Sequence, residues 1–235
     1  FSAMVLAAEY AWNSGKTPLE NLPYKADEEF RKQWDPKPVD RTPRKGFTID
    51  LSAAYNVSLT DTLHKTGWRG LGPEHDLSAA PTGEVRLSGD LFRFASDNAA
   101  PSAIRLASAL DTDRSYPEKL DIRINRKAHW LLFVHTSAWT GKAGLKAGAY
   151  TVRYADGTSL EIPLVYGDNI ASWIDQRSVN GATRIWEGRT GDDERVSLQR
   201  LRWENPHPEK MISSVEFSST KTEAGPALLA LSGVQ

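Results

Sequence analysis

The stretch AYTVRYADGTSLEIPLVYG (residues 149–167) decides the fold class. Apolar and polar residues alternate on both sides of Asp156-Gly157, the pattern of a strand that buries one face. An Asp-Gly pair between two such runs predicts a tight hairpin with a type I′ turn, since both residues accept positive φ.

The same texture extends in both directions. FTIDLS (47–52) alternates, as does EVRLSGDLFRFA (84–95), where Val85, Leu87 and Leu91 align with Phe94 if Gly89 forms a bulge. KLDIRIN (119–125), HWLLFVHTSAW (129–139), RVSLQRLRW (195–203), ISSVEFSST (212–220) and ALLALSGV (227–234) continue the series. Many short strands with few helical windows predict a mostly β chain folded as an antiparallel β-sandwich or jelly roll over residues 46–235.

The first 35 residues differ. In MVLAAEYAWN (4–13) Met4, Val5, Ala8, Ala11 and Trp12 recur at helical spacing, and NSGKTP ends the run. In ADEEFRKQWDP (26–36) Phe30 and Trp34 share one helix face, and Pro36 follows the stop. A short N-terminal helical segment (1–35) is therefore expected, then a linker (36–45) with three prolines among charges.

Composition narrows the function classes. A net charge of −1 and a pI near 6.6 provide no broad cationic surface for nucleic acid or anionic lipid. No apolar run reaches the roughly 18–20 residues that cross a bilayer. The chain has no cysteine, which excludes disulfides, thiol nucleophiles and zinc–thiolate sites. It begins with Phe1 and has no basic leader with a cleavage site, so it reads as a piece of a longer protein.

Motifs for bond-breaking chemistry are missing. There is no Gly-x-Ser-x-Gly elbow, phosphate loop or His-Glu-x-x-His helix. GWRGLG (67–72) reads as a tight loop around Trp68, and the five histidines are scattered without ligand spacing. Glycoside hydrolysis needs two carboxylates about 5–9.5 Å apart. Asp192 and Asp193 in GDDER are sequence neighbours, reading as a solvated loop, and Glu9 reads as a helix residue.

Several segments together resemble a known family. GWRGLGPEHDLS (67–78), LLFVHTSAW (131–139), YTVRYADGTSLEIPLVYGDNIASW (150–173), WENPHPEKMISSVEFSS (203–219) and PALLALSGV (226–234) resemble a jelly-roll domain of the galactose-binding-like type. Such domains are appended to bacterial carbohydrate-active enzymes and other exported proteins. LAAEYAWNSGKTPLE (6–20) with EEFRKQW (28–34) is similar to the last helices of β-N-acetylhexosaminidase-type glycosidase barrels. Together the resemblances imply a noncatalytic accessory domain, carbohydrate-binding or bracing, of a secreted or periplasmic bacterial glycoside hydrolase. Its partners would be a glycan and its own upstream catalytic domain, with neither nucleic acid nor membrane. Two rivals stand beside this reading: a hydrolase of unfamiliar type or a glycosidase subunit acting on N-acetylhexosamine-containing glycans, and a protein–protein interaction module.

Sugar recognition combines an aromatic platform with polar side chains that reach hydroxyls. Trp139 leads into the Gly/Lys loop TGKAGLKAG, Trp173 follows Asp168 and Asn169, and Trp186 stands beside Arg184, Glu187 and Arg189. His135, at the end of an apolar strand, completes the candidate ligand set of Trp139, Trp186, Arg189, His135, Trp173 and Asn169. Each of these also has a structural reading in a sandwich core or loop. No cofactor is implied. Structural calcium is frequent in domains of the resembled type, and Asp111 and Asp113 in LDTDRSYP are its candidate ligands, with a charged hairpin tip as the alternative.

Overall fold

The computed structural model describes residues 45–62, 66–111 and 115–235, which belong to one unit spanning Arg44–Gln235. The two helices expected in residues 1–35, the linker up to residue 44, and Asp113 lie outside the described residues.

Thirteen strands are formed among the described residues: β1 Gly46–Ile49, β2 Val57–Ser58, β3 Glu84–Leu87, β4 Asp90–Arg93, β5 Pro101–Arg105, β6 Lys119–Arg126, β7 Trp130–Ser137, β8 Lys146–Tyr154, β9 Ser159–Val165, β10 Thr183–Arg189, β11 Arg195–Glu204, β12 Ile212–Ser219 and β13 Pro226–Val234. A 3-10 turn at Pro73–His75 is the one helical element there. A seven-stranded sheet runs β10-β11-β7-β13-β5-β2, with β1 also paired to β13, and a four-stranded sheet runs β6-β12-β8-β9. All ladder pairings are antiparallel. The expected mostly β, β-sandwich-like architecture is thus present.

The main core lies between these sheets. Phe47, Ile104, Leu131, Phe133, Leu228 and Leu231 come from the wider sheet, and Ile122, Tyr150, Val152, Leu164, Val215 and Phe217 from the narrower one. Phe133 stacks on Tyr150 at 4.0 Å and 14°, and Tyr150 on Phe217 at 4.8 Å and 28°, so one aromatic column joins the sheets. Such pairs add about 0.5–1.5 kcal/mol each beyond the area they bury.

A second core covers the outer face of the wider sheet. There Leu132, Val134, Leu198 and Leu229 pack against Trp68, Leu77, Phe92 and Trp173. β7 therefore contributes Leu131 and Phe133 to one layer, and Leu132 and Val134 to the other. This is why its sequence is a continuous apolar run: both faces are dry, so nothing selects for polar alternation.

Two turns differ from expectation. The Asp156-Gly157 hairpin is a three-residue loop, closed by Tyr154 N–H to Thr158 O (2.9 Å) and Gly157 N–H to Tyr154 O (3.1 Å). Gly157 has φ 85°, while Asp156 is not among the positive-φ residues, so this is a type I turn with a left-handed glycine, not type I′. Gly89 is no bulge. Ser88 (φ 50°) and Gly89 (φ 88°) form the two-residue turn between β3 and β4, where Leu87 faces Asp90. That is where the positive φ of a type I′ turn occurs.

Ser137 faces Pro226, Arg105 faces Ala227 and Gln199 faces His135. These registers bring the C-terminal ends of β5 and β7 to the same end of the sheet as the N-terminal ends of β11 and β13.

Candidate functional site

β10 is the outer strand of the wider sheet. Beside it the segment 174–182 folds back and is pinned at three points. Arg184 Nη2 donates to Gln176 O (2.6 Å), Gln176 Nε2 donates to Arg195 O (2.8 Å), and Gly181 N–H donates to Asp168 O (2.8 Å). A groove of about 390 Å³ remains between this segment and the strands, lined by Arg177, Ser178, Asn180, Thr183, Arg184 and Gln199 among others. That is within the size range of small-molecule sites.

Gln199 is only 3% exposed. Its Nε2 donates weakly to Ser197 Oγ (3.4 Å), and its buried Oε1 has no hydrogen-bond partner. An enclosed carbonyl without a donor costs about 1–3 kcal/mol, so its persistence calls for a reason. The side chains of Ser178, Asn180 and Thr183 also make no hydrogen bond among the described residues. Both groove arginines are neutralised. Arg184 pairs with Glu187 (2.8 Å) and Arg177 with Asp175 (2.6 Å), and the hydrogen bonds from Arg177 hold the Asp175 carboxyl below its ordinary pKa. The groove thus offers unfilled neutral hydrogen-bonding groups without net charge.

The residues singled out by sequence occupy separate places. Trp186 lies on β10, not in a loop. It faces Leu198, whereas Arg184 faces Gln199, with an irregularity between them that turns the indole to the opposite face from the groove. Trp186 is half-buried, with its ring over Gly188. Arg189 is exposed and paired with Asp193 (2.9 Å). Trp173 is fully enclosed, edge-on to Trp68 at 6.1 Å and 88°. The side chain of Asn169 is spent locally: Oδ1 accepts from Val165 N–H (2.8 Å) and Nδ2 donates to Pro163 O (2.8 Å).

His135 is also fully enclosed. Its Nε2 lies 3.0 Å from the carbonyl of Asn169, an acceptor only, so Nε2 carries the proton and Nδ1 accepts from Tyr150 O–H (3.2 Å). As placed, neither His135 nor Trp173 presents surface to a ligand. Burial pushes the His135 pKa down to about 4, against the opposing pull of its bond to Asn169. The unfolded imidazole titrates near 6.5, so between these values the unfolded chain binds the extra proton. Stability from this group should be complete above pH 6.5 and fall as the pH drops toward 4, by about 3 kcal/mol in all. Urea unfolding between pH 4 and 7.5 checks this: His135→Gln should flatten that part of the profile, and an unchanged slope contradicts it.

The second assembly occupies the strand ends around Trp139. The buried carboxylate of Asp61 accepts from the backbone N–H groups of Arg69 (2.8 Å) and Leu71 (3.0 Å) and shapes the loop 67–72. Gly67 has φ +98°, and a Cβ there would lie 1.9 Å from the Thr60 carbonyl oxygen, so only glycine fits. The loop turns Trp68 inward and lays Arg69 over the half-buried ring of Trp139, with Cζ 4.1 Å from the ring centroid. Beneath it Arg105 donates to Asp111 and to the Trp68 carbonyl. Asp111 also accepts from Trp139 Nε1 (3.0 Å) and Ser108 N–H (3.0 Å). Asp111 is thus neither a hairpin tip nor open to a cation, because its oxygens are committed to these donors. Among the described residues no group of three or more His, Asp or Glu is placed to hold a metal ion.

Asp192 and Asp193 are exposed; Asp192 approaches His75 (3.6 Å), while Asp193 pairs with Arg189. No protein-family model, curated protein or solved structure matches this sequence. Gln199, Asn180, Arg69 and Arg105 were not singled out by sequence. Gln199 carried a signal, since Ser197 and Gln199 are polar in phase with Leu201 and Trp203. Arg69 carried none, because its surroundings are assembled from distant loops.

Proposed function

We propose that residues 46–235 form a noncatalytic jelly-roll accessory domain that binds carbohydrate in the groove beside β10, as part of a secreted glycoside hydrolase. The observation that carries this reading is the enclosed, unpaired Oε1 of Gln199 in the groove, with Ser178, Asn180 and Thr183 around it. A sugar lying in the groove can exchange hydrogen bonds with the exposed Ser178, Asn180 and Thr183, and a shift of the 174–182 segment on binding would bring one of its hydroxyls to Gln199, while the paired arginines keep the groove neutral. The glycosidase context rests on the family resemblance alone.

Replacing Gln199 by leucine separates function from stability. The variant should lose at least roughly tenfold in glycan affinity, about one hydrogen-bond network's worth, with an unchanged or raised melting temperature because an unpaired carbonyl is gone. Screening the 235-residue chain on a glycan array, followed by titration of any hit with wild type and Gln199→Leu, tests this. Equal affinity would place the sugar elsewhere.

A bracing role is favoured by a different observation. Leu71, Leu110 and Leu145 are exposed by 50%, 46% and 45%, in loops at the same end of the wider sheet. Such residues suit contact with a neighbouring protein surface. Silence across the glycan array would favour this role over binding.

A further inference from the structure

We propose that Arg69 forms a second site, independent of the β10 groove, that binds an oxyanion such as the carboxylate of an acidic sugar. Arg69 is partly buried as a residue, with Cζ 4.1 Å from the Trp139 ring centroid and 5.7 Å from that of Trp173. Its Nε is enclosed without a hydrogen-bond partner, and none of its side-chain N–H donors meets an acceptor among the described residues. No carboxylate there forms an ion pair with it.

The neighbouring acids are occupied or distant. Asp61 is turned to the backbone N–H groups of Arg69 and Leu71, and Asp111 serves Arg105, Trp139 and Ser108. Glu194 is exposed and attracts Arg69 only from beyond ion-pair distance. Other enclosed arginines are served differently: Arg105 has Asp111 and Arg200 has Asp90. Burial and the charge of Arg105 pull the Arg69 pKa below its ordinary value, against the weaker opposing attraction of Asp61 and Glu194.

Arginine is suited to this role. Its planar fork matches a carboxylate in two parallel hydrogen bonds, whereas lysine offers only a point charge. The loop held by Asp61 and Gly67 fixes the guanidinium before any ligand arrives, so little freedom is lost on binding. Trp139, in contact with the guanidinium, would report the event through its fluorescence.

The test compares glucuronate, glucose and inorganic sulfate on the full 235-residue chain, read by tryptophan fluorescence and by the Arg69 Nε–H resonance. Glucuronate should move both signals and glucose neither. Arg69→Met should abolish the response, and Arg69→Lys should weaken it roughly tenfold. A response to sulfate equal to that of glucuronate assigns the site to simple oxyanions, whereas one to glucuronate alone assigns it to sugar acids. Either outcome supports the site. An equal response to glucose, a full response in Arg69→Met, or no movement of the Nε–H resonance with either anion overturns it. Should Arg69→Met fail to fold, the wild-type resonance decides. Because Gln199→Leu leaves Arg69 untouched, loss of sugar binding in the groove and loss of anion binding here are separable.

Discussion

Replacing Asp111 by alanine is expected to destabilise the domain by about 3–5 kcal/mol, the usual result of removing one member of a buried ion pair. The side chains of Arg105 and Asp111 are only 1% and 5% exposed. The Arg105 guanidinium lies among the rings of Tyr116, Trp139 and Trp68, at 4.3, 5.8 and 5.9 Å. Taking away the carboxylate withdraws the negative charge facing that cation and strips the acceptor from Trp139 Nε1 and Ser108 N–H. Urea unfolding followed by circular dichroism measures the loss. Arg105→Met with Asp111→Leu should recover much of it, since apolar replacement of a whole buried pair is often neutral or better. A loss below about 1 kcal/mol in the single variant would mean that the pair is solvated as an ordinary surface bridge.

Trp173→Ala should cost a similar amount, about 3–5 kcal/mol for an enclosed tryptophan. The indole fills the layer outside the wider sheet, meets Trp68 edge-on, and donates from Nε1 to Ala138 O (3.3 Å). Its backbone N–H donates to Ser137 O (3.2 Å), so the residue also fastens the end of β7. Trp173→Phe should lose less than half as much and leave glycan affinity unchanged. If the phenylalanine variant stays folded but loses glycan binding, Trp173 serves as a sugar platform and not as a plug.

The strands were legible because alternation reports one wet face and one dry face, and both β8 and β9 show it around their hairpin. The turn type was not. An Asp-Gly pair suits type I′, but it equally suits a three-residue loop in which glycine alone is left-handed. Here the carboxylate of Asp156 pairs with Lys210 (2.7 Å) and accepts from Thr158 N–H (2.9 Å), and Lys210 first, then Thr158, hold the Asp156 pKa low. Lys210 is distant in sequence, so that preference was invisible locally.

The outer layer was the larger omission. Trp68, Leu77 and Trp173, which lie in segments without strand alternation, form a second core. Trp173 read as a loop aromatic beside Asp168 and Asn169, yet those polar neighbours complete a turn whose far side is dry. Trp139 stood out in the sequence as a strand-end aromatic leading into a Gly/Lys loop, but its partner Arg69 is 70 residues away in sequence. The groove depends on how 174–182 lies over β10 and β11, which no periodicity encodes.

Because β7 sends consecutive side chains into opposite cores, it acts as a party wall. Neither room can be emptied without stripping one side of the same partition. Loosening the outer loops would wet Leu132 and Val134 and weaken the partition from which Leu131 and Phe133 hang. The two cores therefore stand or fall together, although they never touch across the sheet that divides them.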